Sequence, residues 1–335
     1  MKQNVLITGG AGFIGAHLVR EILKYDHLQP VVLDDLSGGF EENIPNEAIF
    51  IKGSIMDSAL LAEIFSTYKF AYVYHLAAYA AEGLSHFIRR FNYNNNLIGS
   101  INLINESVNH KVKCFVFTSS IAVYGAGQTP MLESMTPMPE DPYGIAKYAV
   151  EMDLQNAQHM FGLNYVIFRP HNVYGEFQNI GDKYRNVVGI FMNQILQDKP
   201  LTIFGDGMQQ RAFSYVGDIV GAMAESAWTP SAYGQVYNVG ADIPFTVIEL
   251  SDAVKKLLDK PNHPIIKAEA RNEVMVAYSD HSKIKAAFKN LPVTPLEDGL
   301  SKMVEWVKKA GARESKEFGE IEITENLPPI WRNKI

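Results

Sequence analysis

Short apolar runs alternate with longer amphipathic ones from the first residues of this chain, and no other feature constrains its fold as strongly. The runs 4–8, 29–34, 49–52, 72–76, 113–119 and 164–169 are apolar nearly throughout and rich in Val, Ile, Phe and Tyr. Strands covered on both faces read this way, whereas strands with one wet face alternate. Between them, 13–24, 58–68, 92–109 and 142–161 carry apolar residues at three- and four-residue steps, the helical period. Repeated strand and helix units of this size predict a doubly wound α/β fold, a parallel sheet with helices on both faces.

The rhythm breaks after Asn172. A loop bearing Gly, Asn and Asp occupies 175–185, followed by a helix over 187–197, a short strand over 201–204 and the turn Gly205-Asp206-Gly207. We expect one domain from residues 1–172 and about 208–240, with 213–228 returning to it. A smaller α/β domain would comprise about 173–207 and 241–335. The polar, proline-bearing tail beyond Gly311 is expected to drape over the surface without packing.

Composition narrows the class of partner. Lys and Arg total 30 against 37 Asp and Glu, a net charge of -7, so the broad basic surface that nucleic acid requires is not expected. The one cysteine, Cys114, lies inside an apolar run and reads as a small buried thiol, which fits a reducing, cytoplasmic compartment. The first residues lack a signal-peptide core, and no apolar stretch approaches the ~18 residues of a membrane span. No His, Cys or carboxylate spacing resembles a metal cluster, so no metal is expected.

The segment Val5-Leu6-Ile7-Thr8-Gly9-Gly10-Ala11-Gly12-Phe13-Ile14-Gly15 passes from strand to turn to helix. It contains both Gly9-x-x-Gly12-x-x-Gly15 and Gly10-x-Gly12-x-x-Gly15. Missing side chains permit the tight turn, let backbone approach a pyrophosphate and let helix pack close on strand, while the helix dipole meets the phosphates. A structural glycine turn would look similar in isolation. Here Asp34 ends the second strand, where a carboxylate accepts both ribose hydroxyls and repels a 2′-phosphate. The joint pattern points to a Rossmann-like domain that binds NAD in preference to NADP.

A second constellation lies further along. Asp141 reads as a helix cap and Pro142 as the first helical residue, which puts Tyr143 and Lys147 one turn apart on one face. An ammonium beside a phenol favours phenolate and lets the tyrosine exchange a proton with a substrate hydroxyl. A surface helix pair would share that spacing. Thr118-Ser119-Ser120, at the carboxyl end of a buried strand where ligands gather in such sheets, supplies a hydroxyl that can hold the reacting oxygen.

These motifs in this order resemble the extended short-chain dehydrogenase/reductase superfamily, and within it the NAD-dependent nucleotide-sugar epimerase/dehydratase family typified by UDP-glucose 4-epimerase. The likeness extends through His75-Leu76-Ala77-Ala78, the helix from Asn96 to Leu103, Ser119-Ser120-Ile121-Ala122-Val123-Tyr124-Gly125 and Arg169-Pro170-His171-Asn172-Val173-Tyr174-Gly175. It continues through Gly205-Asp206-Gly207 with Arg211, Val216-Gly217-Asp218, Tyr237-Asn238-Val239-Gly240, Arg271 and Asp280-His281-Ser282-Lys283.

The resemblance implies residue roles. Ser120, Tyr143 and Lys147 match the family's catalytic set. Gly9, Gly12, Phe13, Ile14, Gly15, Asp34, Ser54, Ile55, Leu76, Ala77, Ala78, Asn96 and Ser119, with Tyr143 and Lys147, fall at its NAD contacts. Ser120, Asn172, Asn186, Arg211 and Arg271 fall where it holds a nucleotide-diphosphate sugar, and an arginine fork suits phosphate. The implied reaction oxidises a sugar carbon, most often C4, to a transient ketone and reduces it from the other face. Homodimers pairing through the helices 92–109 and 142–161 are implied too.

The runner-up reactions are dehydration and decarboxylation on the same scaffold, and a non-catalytic NAD sensor is a third reading. Family dehydratases carry an acidic pair after the residue matching Ser120, where this chain has Ile121 and Ala122, which transfer no protons. A sensor would be expected to lose the Tyr or the Lys. Four departures bear on sugar identity: Ser54 replaces an adenine-contacting aspartate, Ala80 stands where galactose epimerases often place a lysine, the stretch from Glu82 to Phe87 is a residue longer, and the Arg271 segment is a residue shorter. Ala277 falls about where a side chain gates the sugar pocket in related epimerases, and its small size leaves room for an enlarged substituent.

Overall fold

The computed structural model describes residues 2–127, 129–270, 274–315 and 318–331. β1 (Gln3–Thr8) runs through the glycine turn into α1 (Phe13–Ile22), and β2 (Leu28–Asp34), β3 (Ile49–Lys52), α2 (Ser58–Tyr68) and β4 (Tyr72–His75) follow. Next come the short helices α3 (Glu82–Ser85) and α4 (Arg89–Tyr93), then α5 (Gly99–Asn109), β5 (Cys114–Thr118), α6 (Pro142–Phe161) and β6 (Tyr165–Pro170). The later elements are β7 (Val173–Tyr174), α7 (Val187–Leu196), β8 (Leu201–Phe204), β9 (Gln210–Ala212), β10 (Ser214–Tyr215), α8 (Val220–Ser226), β11 (Gln235–Val239) and β12 (Pro244–Thr246). The chain closes with α9 (Val247–Leu257), β13 (Ile265–Ala268), β14 (Val276–Ala277), α10 (Ser282–Ala287) and α11 (Leu296–Ala310).

Seven strands form one parallel sheet in the order β3-β2-β1-β4-β5-β6-β11. The chain builds outward from β1 to β3, then returns and builds the other way from β4. That reversal opens a crevice beyond the carboxyl ends of β1 and β4, where ligands bind in sheets of this kind. Both faces are covered, which explains the unbroken apolar runs. Leu6, Val31, Val73, Phe115 and Ile167 pack in one core layer with α2, α5 and α6. Their strand neighbours Val5, Val32, Tyr74, Val116 and Phe168 pack in the other, with α1, α7, α8, α9 and α11.

Helix ends follow local chemistry. The Asp141 carboxylate accepts from Gly144 N at the start of α6, Pro142 occupies its first turn, and Gly162 stops it at φ +74°. Thr246 and Glu249 form a reciprocal capping box on α9.

Three expectations need correction. The helix expected over 92–109 begins at Arg89 and passes through a π-helical turn, Asn94–Ile98, before α5, so two short helices and a bulge replace one regular one. A seventh strand, β11, lies beyond the six read from the sequence, and its Gln-Val-Tyr-Asn-Val pattern is half-polar because it sits at the sheet edge. In the second half the expected strand 201–204 is present as β8, paired with β13, and the other small sheets are β7 with β10 and β9 with β12 and β14. The tail packs: Leu327 and Trp331 are buried in a cluster with Ala81, Leu84 and Ile88. Residues 213–228 do meet the first half, where Tyr74 Oη donates to Ala224 O at 2.5 Å and the Tyr25 and Trp228 rings meet edge to face.

Leu6 is fully buried between sheet and helices. Leu6→Ala is expected to cost about 2–5 kcal/mol, read by urea denaturation. A loss below about 1 kcal/mol would mean that the site collapses freely and that the layer is not close-packed as described.

Candidate active site

The glycine turn is shaped by backbone crowding. Gly9 adopts φ +72°, and a Cβ there would lie 2.7 Å from Ala77 N at the end of β4. A Cβ on Gly15 would lie 2.1 Å from Gly9 O, so α1 packs on the turn only with glycine at that position. Gly12 caps α1 without a side chain, leaving the first-turn amides facing the crevice. The buried Asp34 carboxylate accepts from Ala11 N at 3.0 Å and Leu36 N at 2.8 Å, which ties the end of β2 to the turn. Burial raises its pKa, and those amides pull it back down.

A cavity of about 1610 Å³ extends from this turn, more than the roughly 300–1,000 Å³ of a single-ligand pocket. Gly9, Gly12, Phe13, Ile14, Gly15, Asp34, Ser54, Ile55, Leu76, Ala77, Ala78 and Ser119 line it, so twelve of the expected cofactor contacts face one space with Tyr143 and Lys147. The lining also includes Gly39, which no motif singled out; a Cβ there would lie 2.4 Å from the Ala11 carbonyl carbon. The Gly38-Gly39 pair just past Asp34 was the available signal. These features fit a dinucleotide: a cradle that any Cβ would fill, helix amides at one end and a carboxylate beside it.

Asn96 is placed differently from the expectation. It is buried behind the cavity, and its amide bonds to both Tyr79 N and Tyr79 O. Its role here is to hold the backbone after Ala78. Ser119 borders the cavity, but its hydroxyl is committed to Glu151 at 2.5 Å.

Ser120, Tyr143 and Lys147 meet at the carboxyl end of β5. The Ser120 hydroxyl accepts from Ala122 N at 3.1 Å and lies close enough to the Tyr143 phenol to influence its proton. Lys147 Nζ donates to Thr118 O at 2.9 Å and sits 5.8 Å from the Tyr143 ring centroid. The charges depart from the simple picture of an ammonium acidifying a phenol. Burial pushes the Tyr143 phenol up, and the Ser120 hydroxyl is the main opposing influence. Burial pulls Lys147 down to about 7, with Glu151 opposing it. Desolvation disfavours both charged forms at once.

Two buried networks hold this trio. Glu151, one turn after Lys147, is fully buried; it forms a two-pronged pair with Arg169 and accepts from Ser119. On the other side Thr8, His75 and Ser100 form a chain, Thr8 Oγ1 to His75 Nδ1 at 2.8 Å and His75 Nε2 to Ser100 Oγ at 2.7 Å. Burial, followed by the Lys147 charge, keeps His75 neutral. Ring stacking places His75 against Phe117, and Lys147 Nζ lies 4.8 Å from the centroid of the same Phe117 ring.

Of the expected substrate contacts, Ser120, Asn172, Asn186 and Arg211 line the same cavity. Asn172 and Asn186 both adopt positive φ, +41° and +48°, a conformation asparagine tolerates better than most residues. Asn186 caps α7, with its side chain on Val188 N and Val173 O. Arg211 Nη1 donates to Gln210 O and Met275 O, and Ala277 is its strand partner in β14. Arg271 lies outside the described residues. Tyr79, Glu82 and Arg185 also border the cavity, with Glu82 and Arg185 close enough to shift the Tyr143 proton in opposite directions. Among the described residues no cluster of three metal-ligating side chains occurs.

A glycine-cradled parallel sheet with Ser, Tyr and Lys at its carboxyl edge defines a Rossmann-fold enzyme of the short-chain dehydrogenase/reductase type. Residues 5–240 match the model of the NAD dependent epimerase/dehydratase family, and the chain belongs to that family. It is 35% identical to the UDP-glucose 4-epimerase of Thermotoga maritima solved with UDP-glucose, with a TM-score of 0.87 over 92% of this chain and 99% of that one. It is 29% identical to the UDP-glucose 4-epimerase of Thermus thermophilus solved with NAD, with a TM-score of 0.85 over 92% of this chain and 100% of that one. The dTDP-D-glucose 4,6-dehydratase of Mus musculus is 30% identical over 327 residues, 92% of this chain and 89% of that one.

Lys147 yields a test of burial. Its folded pKa of about 7 lies below the ordinary 10.5, so between those values the unfolded chain binds a proton that the folded one lacks. Wild-type stability therefore rises with pH across that window, and the burial cost is fully present below about 7. In nucleotide-free protein, the Tm of Lys147→Met minus that of wild type should fall as pH rises from about 6 to about 9. A difference that stays flat or grows overturns the assignment.

Proposed function

We propose that this protein is an NAD-dependent nucleotide-sugar 4-epimerase. The observation that carries the reading is that Ser120, Tyr143 and Lys147 line the same cavity as the Gly9–Gly15 cradle. Gly9, Gly12, Phe13, Ile14 and Gly15 would hold the pyrophosphate, Asp34 the adenosine ribose, Ser54 and Ile55 the adenine, and Leu76, Ala77, Ala78 and Ser119 the nicotinamide half. Tyr143 and Lys147 would meet the ribose next to it. Bound there, NAD supplies the acceptor for the sugar C4 hydride and gives the same hydride back, and its positive ring adds the charge that a buried phenolate needs.

The protein's own part is proton transfer and positioning. Tyr143 Oη takes the C4 hydroxyl proton during oxidation and returns it during reduction, while Ser120 Oγ holds the reacting oxygen. Lys147, fixed by Thr118 O, favours the phenolate. Asn172, Asn186, Arg211 and Arg271 hold the nucleotide diphosphate, which leaves the 4-keto sugar free to turn its other face. Ile121 and Ala122 border the cavity where a dehydratase needs an acid and a base, which favours epimerisation over water loss. The small Ala277 leaves room for a substituent such as N-acetyl.

The same reading assigns residues 1–172 and about 208–240 to the NAD-binding domain and the remainder to the sugar-binding domain. It places the protein in the cytoplasm, and no described helix is long and apolar enough to cross a membrane. It also makes the protein a homodimer, supported by the exposed Ile98, Ile145 and Met152 on the α5 and α6 side. Light scattering should then return twice the 37.4 kDa chain mass, and a monomer at micromolar concentration would exclude the dimer.

Incubation with UDP-, GDP- and CDP-sugars, including uronic acids and N-acetylated hexoses, should yield the C4 epimer of at least one. Tyr143→Phe should retain NAD and lose about 100-fold or more in kcat. A product lighter by one water would establish dehydration instead. Retention of activity to within about tenfold in Tyr143→Phe would remove the tyrosine from the chemistry.

A further inference from the structure

The described residues 318–331, beyond α11, do something that neither the motifs nor the family match assigns. The Arg313 guanidinium lies 3.6 Å from the Phe40 ring centroid, and residues 318–331 pack against the α3 and α4 segment. They are anchored there in three ways. The Glu322 carboxylate accepts from Arg90 N at 2.7 Å and Phe91 N at 2.8 Å, satisfying first-turn amides of α4 that its own N-cap residue leaves open. Glu322 N and Ile323 N both donate to Phe87 O, at 2.8 and 3.2 Å. Trp331 is 3% exposed, edge-on to Tyr184 at 5.4 Å and Phe87 at 6.3 Å, and Gly83 leaves its ring the space that a Cβ would crowd at 3.3 Å.

The segment that receives the tail also braces the reacting tyrosine from its other side. Ser85 Oγ accepts from Tyr143 N at 3.3 Å, and Asn92 Nδ2 donates to Pro142 O at 2.8 Å. The tail therefore stands one thin layer from the start of α6. Ile323, Glu325, Asn326, Leu327, Pro328 and Trp331 line the cavity that Tyr143 and Ser120 line. The glycine cradle with its carboxylate lies beyond the carboxyl ends of β1 and β2, on strands other than the one that leads into the Ser120 to Tyr143 site.

We propose that the segment 323–331, held by Glu322 and Trp331, is the outer wall of the sugar subsite and sets how large a sugar the enzyme turns over. This rests on the epimerase reading for the identity of the ligand. A wall made of tail acts on the hexose and leaves the nucleotide and NAD alone. It therefore separates sugars of different bulk at the Tyr143 end.

Two full-length variants that move the wall in opposite directions test this. Trp331→Ala unseats it, and Asn326→Trp thickens it. The ratio of kcat/KM for UDP-N-acetylglucosamine to that for UDP-glucose should rise about tenfold or more in the first and fall by a similar factor in the second, the scale of selectivity that methylene-sized contacts carry. Kd for UDP alone, by calorimetry, and NAD content should stay within about twofold of wild type in both. A ratio that moves in neither variant, or UDP binding that weakens in step with the sugars, overturns the wall. If wild type binds the two UDP-sugars but converts neither, the same ratio taken from Kd values still decides the wall, while the epimerase reading is decided by the full panel of nucleotide sugars. Binding of neither UDP nor a UDP-sugar overturns the wall.

Discussion

Everything in this protein is built around a backbone contact that only glycine permits. α1 approaches the end of β1 so closely that a Cβ on Gly15 would lie 2.1 Å from Gly9 O, and Gly9 itself abuts Ala77. That approach fixes where the α1 amides point and brings the β4 terminus alongside. The same crowding draws in the loop after β2, because Gly39 lies against Ala11 and both Phe40 N and Asn43 Nδ2 bond to Ala11 O at 3.0 Å. The position of the backbone amides suits this end of the crevice to an anion.

The reacting end follows the opposite logic, because there charge has been buried. Lys147, Glu151 and Arg169 are all nearly inaccessible. Burying ions costs several kcal/mol each unless partners compensate, so the Glu151 to Arg169 pair is weak evidence of stabilisation. Its value lies in direction. Glu151 holds the Ser119 hydroxyl on one side and is the carboxylate that favours protonated Lys147 on the other. The serine before Ser120 and the lysine after Tyr143 are thus fixed by one buried group. A phenol pushed up by burial beside an amine pulled down to about 7 is a pair waiting for one more charge, and the proposed cofactor brings it.

What was legible in the sequence was whatever chemistry is written locally. The six apolar strands, the Gly9–Gly15 spacing, Asp34 at a strand end and the Tyr143 to Lys147 turn each occupy a few adjacent residues. Pairings between distant segments leave no such trace. Glu151 meets Arg169, His171 meets His281 at 3.1 Å, and Glu322 caps a helix that begins at Arg89. Asn96 shows the converse hazard: its motif pointed at a ligand, while the π-helical turn that contains it faces it toward Tyr79. The tail was misjudged because its anchors, Phe318, Leu327 and Trp331, follow no period, and only their shared socket reveals their purpose.

The two ends of the cavity differ in how they are bounded, and an epimerase needs that difference. A sugar ring that must present both faces to one hydride position cannot be gripped by fixed polar groups around its rim. On the proposed reading the nucleotide half of the substrate meets rigid elements, asparagines held at positive φ and an arginine set within a small sheet. The proposed sugar half is bounded by side chains on short helices and by a tail fastened at a few points, where aromatic edges and proline supply surface without many directional bonds. Apolar walls restrict size while leaving rotation free, because dispersion contacts lose little when a ring turns and hydrogen bonds lose most of their strength.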